Sequence, residues 1–171
     1  MLVKAQEKDI KKIMEIITDA KKYLKNQNSL QWNQPDGYPN ECDLLKDINN
    51  ESCYLYLENN EIIGTMSIVF IPDENYFEIN GEWLTNDSYA SIHRIAIKNS
   101  HHKKGIGIKM LLEAEEIVKQ NNIYSIKIDT HKINIPMIKT IEKSGYTYCG
   151  VITLKRSKTD NLRNAYEKRL V

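Results

Sequence analysis

One stretch limits the folds open to this chain more than any other: SIHRIAIKNSHHKKGIGIKMLLEAEEIV, Ser91 to Val118. It reads as a strand, a short polar loop and a long helix entered through His-Lys-Lys-Gly-Ile-Gly. Met110, Leu111, Ala114, Ile117 and Val118 recur near the 3.6-residue period, so this helix must lay an apolar stripe on the sheet that holds the strand. Gly105 and Gly107 stand where the backbone turns sharply. There the unpaired N–H groups of a first helical turn and the positive end of the helix dipole point at whatever approaches. The chemistry suits a pyrophosphate, and the competing reading is a glycine-containing turn beside a solvated charge run. Neither a GxxxxGK[ST] loop nor a GxGxxG fingerprint is present, since Met110 stands where the latter needs its third glycine.

The rest of the chain supplies a mixed α/β (α+β) architecture. Leu2 to Ala5 predicts a strand, and Ile10, Ile13, Met14, Ile17 and Leu24 predict a helix with Asp9 as N-cap. Ser29 to Pro39 is aperiodic, with two prolines, and reads as an ordered loop anchored by Trp32 and Tyr38. Asn40 caps a second helix carrying Leu44, Leu45 and Ile48. Cys53–Glu58 and Glu61–Phe70 form a hairpin across Asn59-Asn60. Pro72 to Asp87, with Glu78, Glu82, Trp83 and Asp87, is irregular and polar, a candidate substrate surface before the strand from Tyr89 to Ile97. After the long helix, Ser125–Thr130 alternates as a strand. Met137, Ile138 and Ile141 define a short helix ending at Ser144-Gly145, and strands near Tyr146–Leu154 and Asn164–Leu170 complete the order. A sheet with helices packed on it follows, and 171 residues fit one domain, 1–171, against a prior of about 150 per domain.

Charge and cysteine content remove whole classes of function. The 24 basic and 23 acidic residues nearly cancel, leaving no global field for nucleic acid or an anionic membrane. No apolar run approaches the roughly 18 residues of a membrane span, and Lys4, Glu7, Lys8 and Asp9 interrupt the place a signal segment would occupy; a cytoplasmic protein is expected. Cys42, Cys53 and Cys149 are odd in number and form no CxxC pair, so no disulfide framework and no metal site is encoded.

His102-Lys103-Lys104-Gly105-Ile106-Gly107 resembles the signature of the GNAT superfamily of N-acetyltransferases: Gln or Arg, two residues, Gly, one residue, then Gly or Ala. His102 departs from the first position. A second match lies downstream, where Asn134, Met137 and Ile141-Glu142-Lys143-Ser144-Gly145-Tyr146 follow the family's Asn, two residues, Ala or Met, then a helix closing on Glu-Lys-x-Gly-Phe. The resemblance covers nearly the whole chain and implies a central, mostly antiparallel mixed sheet of about seven strands flanked by about four helices.

It also implies an acetyl-CoA site and transfer of an acetyl group to a primary amine by direct attack in a ternary complex. In such folds the strand before the loop splays from its neighbour at a bulge, and the pantetheine arm pairs with the freed backbone. Ile95, Ala96 and Ile97 hold those positions here. An amide near Ile95 would face the thioester oxygen, an oxyanion role in which one donor is worth roughly 2.7–4 kcal/mol. His102, Lys103, Lys104, Gly105, Ile106 and Gly107 would hold the pyrophosphate, and Asn134 the cofactor arm, with capping of the following helix as its competing reading. An acceptor amine with a Lys-like pKa needs about 4 kcal/mol to reach its neutral form at neutral pH, so a base or relay is expected. Asp129 is the candidate, matching a carboxylate base in the branch that acetylates ribosomal-protein N-termini; the competing reading is a strand-end acid paired with a lysine. His93 on the cofactor strand is a further possible base, with a structural strand histidine as the favoured reading. The family's tyrosine acid, seven residues after the asparagine, is Ile141 here, so the acid is unassigned. Trp32, Tyr38 and Trp83 are candidate acceptor-binding residues for a small-molecule or peptide amine. A catalytically weak acyl-CoA sensor on the same fold is the alternative, and exposed terminal strands leave room for a homodimer.

Overall fold

The computed structural model describes residues 1–171. Its strands are β1 (Leu2–Lys4), β2 (Cys53–Glu58), β3 (Glu61–Val69), β4 (Asn80–Gly81), β5 (Ala90–Ile97), β6 (Ser125–Thr130), β7 (Thr147–Thr153) and β8 (Leu162–Arg169). The helices are α1 (Ile10–Asn26), α2 (Glu41–Asn49), α3 (Ile106–Gln120) and α4 (Ile135–Lys143). The strands form one eight-stranded sheet in the order β1-β2-β3-β5-β6-β8-β7-β4, in which β5 runs parallel to β6 and the β1–β2, β2–β3, β6–β8, β8–β7 and β7–β4 pairs are antiparallel. The strand beyond the seven expected from sequence is β4, whose two residues carry no periodic signal. No helix is long and apolar enough to cross a membrane.

Packing divides the chain into two units, each assembled from two segments. The first holds Met1–Ile68 and Arg94–Met110, and the second holds Val69–His93 and Leu111–Val171. In the first, α1 buries Ile13, Ile16, Ile17 and Leu24, positions that share one helical face. They join Leu44 and Ile48 of α2, Cys53 and Leu55 of β2, and Ala96 of β5. Asn40 caps α2 through a capping box with Asp43, whereas Asp9 does not cap α1: its carboxylate accepts from the Gln6 amide at 2.9 Å. Asp9 sits in a helical conformation at the end of a 3₁₀ turn, so its side chain points back to that turn instead. The hairpin reverses at Asn59 and Asn60, with φ of 50° and 62°, the left-handed pair a two-residue turn requires.

Gly64 lets β3 lie close to what it faces. A Cβ there would stand 2.9 Å from Met110 Sδ and 3.2 Å from the Ala96 carbonyl. In the second unit, β8 pairs with both β6 and β7 along its length. Two glycines fasten β4 to β7: Gly81 opposes Gly150, each with φ of 142°, and a Cβ on either would fall within 2.1–2.3 Å of a carbonyl oxygen across the pair.

Candidate active site

Strand β5 ends its regular pairing early. Its parallel register with β6 covers Ala90, Ser91 and Ile92 against Ile126, Lys127 and Ile128. β6 continues to Asp129 and Thr130, which pair with Ala165 and Asn164 of β8. Arg94, two residues past the last pair, has φ of 54°. A left-handed residue inside a strand breaks the two-residue alternation as a bulge does, and costs on the order of 1–2 kcal/mol in a non-glycine. Side-chain contacts hold it there. Arg94 Nη1 donates to Asp47 Oδ2 at 2.6 Å, the same oxygen accepts Ser67 Oγ at 2.5 Å, and the guanidinium lies over the Tyr38 ring at 5.2 Å. Beyond the break come Ile95, Ala96 and Ile97, with the Lys98 amide donating to the Ile63 carbonyl.

The loop after β5 makes one 3₁₀ turn, in which the His101 and His102 amides donate to Lys98 and Asn99. The His102 ring is also engaged, its Nε2 3.0 Å from the Ile97 carbonyl and its edge on the Tyr23 ring at 5.0 Å. The next N–H groups, of Lys103, Lys104, Gly105, Ile106, Gly107 and Ile108, have no acceptor in the protein; the first helical bond runs from the Lys109 amide to the Gly105 carbonyl. Lys103 and Gly105 are left-handed, with φ of 61° and 72°, which turns successive amides toward a common concavity. Space above Gly105 is open, for nothing lies within 4 Å of where its Cβ would be. Lys103 and Lys104 are exposed. This corner fits a bulky, multiply charged anion held by main-chain donors. It begins one residue later than the sequence pattern suggests, because the His102 amide is already bonded.

Asn134 stands at the N-terminus of α4, where its Oδ1 accepts from the Met137 amide at 3.4 Å. Thr130, the last residue of β6, has a buried hydroxyl without a partner.

A polar cluster gathers on the second unit. Asp129 Oδ1 accepts the Tyr76 hydroxyl at 2.7 Å. Burial, then the Asp129 charge, pushes the Tyr76 phenol well above its ordinary pKa, so it stays a donor. The Tyr76 ring lies near Trp83, Tyr89 and His93, and Trp83 Nε1 donates to the Tyr76 carbonyl at 3.0 Å. Lys127 is 4% exposed, with Nζ 4.3 Å from the Trp83 ring centre and 4.1 Å from that of Tyr89. Burial lowers its pKa. Its ladder partner Glu167 is wholly buried and binds Ser125 Oγ at 2.6 Å, Thr85 Oγ1 at 3.0 Å and the Leu84 amide at 2.6 Å. This carboxylate fastens the loop that carries Trp83. Glu82 and Asp87 are exposed. Trp32, with φ of 62°, packs against the core of the first unit, as Tyr38 meets Arg94 there.

A family model described as the acetyltransferase (GNAT) family matches residues 11–146. The chain belongs to that family. A GNAT-family acetyltransferase structure from Streptococcus agalactiae 2603 superposes with a TM-score of 0.90 at 29% identity, over 100% of this chain and 95% of the other. An aminoglycoside acetyltransferase crystallised with coenzyme A shares the fold, with a TM-score of 0.69 at 18% identity over 99% and 94% of the two chains. Streptothricin acetyltransferase A of Bacillus subtilis (strain 168) is 29% identical over 85 residues, 50% of this chain and 41% of its own length. The match therefore spans about two fifths of that relative.

Within this GNAT chain, sequence reasoning located the glycine corner but missed Tyr76, Asp73 and the Asp47–Arg94 pair. Tyr76 carried one available signal: with Phe77 it is one of two aromatics between Asp73 and Trp83. Asp47 carried none, since an acid on a predicted helix reads as solvated, yet it is buried. No group of three or more His, Cys, Asp or Glu side chains is placed to hold a metal.

Proposed function

We propose that this protein transfers an acetyl group from acetyl-CoA to a primary amine by direct attack in a ternary complex. The observation that carries the reading is the run of unpartnered amides from Lys103 to Ile108 at the start of a 15-residue helix. Each amide bond to a phosphate is charge-assisted and worth about 1.5–3 kcal/mol, so a few suffice for the roughly 8 kcal/mol of micromolar affinity after ordering costs.

The residues fit the cofactor in kind. Lys103, Lys104, Gly105, Ile106 and Gly107 would hold the pyrophosphate. His102 contributes the shape of the turn, with its own amide and ring already bonded. The backbone of Ile95, Ala96 and Ile97, past the break at Arg94, would receive the pantetheine arm as an added strand. Asn134 would receive its amides, and the lone Thr130 hydroxyl offers a further polar atom at the end of the neighbouring strand. Acetyl-CoA supplies the thioester carbonyl that the amine attacks.

Asp129 serves as the anion that draws in and orients the acceptor's ammonium, a role in which the Tyr76 hydrogen bond fixes the carboxylate. Trp32, Tyr38 and Trp83 serve as acceptor-side aromatics. Titration calorimetry with acetyl-CoA tests the cofactor site. Micromolar binding is expected, and no heat at millimolar acetyl-CoA overturns the reading.

One observation favours a second reading. Ile141, where relatives often carry a tyrosine acid, is fully buried and apolar, which suits an acyl-CoA sensor without turnover. Thiol release across a panel of polyamines, aminoglycosides, amino acids and peptide N-termini separates the two: release above the acetyl-CoA hydrolysis background establishes transfer.

A further inference from the structure

Resting on the acetyl-transfer reading, we propose that His93, held by Asp73, takes the proton from the attacking amine, with Nδ1 as the accepting nitrogen. His93 is the residue immediately before the left-handed Arg94, at the point where β5 leaves its regular register. Its Nε2 lies 3.2 Å from Asp73 Oδ2 and 3.1 Å from Ser91 Oγ. Asp73 is a fixed acceptor. Its other oxygen takes the Asn75 amide and the Asn75 side-chain N–H, both at 2.8 Å, and its own amide donates to the Tyr89 hydroxyl at 3.1 Å. Burial raises its pKa, but the His93 contact and the Asn75 donors outweigh burial and hold the carboxyl below its ordinary range.

An ionised carboxylate can only accept, so the hydrogen of neutral His93 sits on Nε2 and the lone pair on Nδ1. Nδ1 has no partner in the protein, and the side chain is 19% exposed, enough for an amine to reach. Around the ring stand Asp73 from the loop before β4, Ser91 from β5 itself, and Tyr76 with its centroid 6.0 Å away; Asp129 of β6 lies behind the Tyr76 hydroxyl. The cation on this face is Lys127 of β6, the ladder partner of Ser91, whose Nζ lies over the Trp83 and Tyr89 rings. Arg94, next in the chain, directs its charge to Asp47.

Asp129 is the weaker proton acceptor of the two. It already receives a hydrogen bond from a phenol that keeps its proton, and a carboxylate lies further below an amine in basicity than an imidazole does. The step balances without a further reagent. The bound ammonium first releases one proton to solvent, the neutral nitrogen then bonds to the acetyl carbon as the carbon–sulfur bond breaks, and the nitrogen's next proton passes to His93 Nδ1. It then passes to the departing sulfur directly or through water, and His93 is neutral again. Asp73 acts as a positioning residue.

Two measurements decide the matter. The ¹⁵N shifts of His93 in the whole unliganded protein should show hydrogen on Nε2 and a lone pair on Nδ1, with Asp73→Asn abolishing that preference; hydrogen on Nδ1 in the wild type overturns the proposal, whatever the acceptor. With the best amine of the panel, His93→Gln should lower kcat by about 10²–10⁴-fold, leave acetyl-CoA affinity within twofold and remove the acid limb of the kcat profile. Asp73→Asn should lower kcat with the acetyl-CoA KM unchanged. Retention of kcat within threefold in His93→Gln, or in His93→Asn should the first variant misfold, overturns the proposal. Calorimetry on the same samples reports the cofactor site alone, so a protein that binds no acetyl-CoA defeats the acetyl-transfer reading and not the tautomer.

Discussion

Replacing Glu167 with Gln removes one charge and almost no volume, from a side chain with no solvent exposure. The carboxylate oxygens accept from Ser125, Thr85 and the Leu84 amide, and the ladder places the buried Lys127 opposite. A carboxamide can keep one oxygen as acceptor, but its NH₂ must then face donors on the other side. Either Ser125 and Thr85 or the Leu84 amide loses its partner, at about 1–3 kcal/mol for each buried donor left unmet. The Lys127 ammonium also loses its opposing charge. The cost is therefore about 1–3 kcal/mol, which for a chain of this size lowers Tm by roughly 2–12 °C. Urea unfolding of wild type, Glu167→Gln, Lys127→Met and the double variant would measure the coupling. The double variant should lose less than the sum of the two singles, because it leaves no uncompensated ammonium. A Glu167→Gln cost below 1 kcal/mol, or strict additivity, would show that this carboxylate neither fastens the 82–87 loop nor balances Lys127.

Gly105→Ala adds a Cβ in open space, so its stability cost should stay near the roughly 1 kcal/mol of a strained left-handed backbone, while acetyl-CoA affinity measured by calorimetry falls at least tenfold. Gly64→Ala drives a methyl against Met110 and the Ala96 carbonyl; a loss of about 1–3 kcal/mol in urea is expected, together with weaker acetyl-CoA binding because Ala96 must shift. Gly150→Ala should cost about 3 kcal/mol and release β4, read as faster amide exchange at Glu82, whose N–H donates to the Cys149 carbonyl. The folded pKa of Asp73 lies below its unfolded value of 3.8. Its stabilisation is therefore present above that unfolded value and lost as pH falls through the lower folded one. Asp73→Asn should flatten the stability profile in that acid window and leave its slope at alkaline pH unchanged.

Elements with a repeating apolar period were legible in the sequence because periodicity reports which face is buried. The α1 stripe, the Asn59-Asn60 hairpin and the strand–glycine–helix passage are of this kind. β4 was not, since its two residues are held by a glycine pair roughly seventy positions apart in the chain, and no local pattern encodes a close approach of that kind. The break at Arg94 was equally hidden. Arginine has no preference for positive φ, and what holds it there is an aspartate on α2, reached only once the chain has folded. His93 reads as either a base or a structural strand histidine until Asp73 is seen beside it. The amide run is the opposite case: two glycines before an amphipathic helix announce it, because the geometry is local.

That amide run has a practical corollary for mutagenesis. A donor belonging to the peptide unit survives nearly every codon change, so an alanine scan through 103–108 would report mainly on loop shape and charge and leave the N–H groups themselves in place. Proline at Lys104, or an ester linkage introduced by chemical ligation, deletes one such hydrogen at a time, and only that kind of edit can weigh each of them.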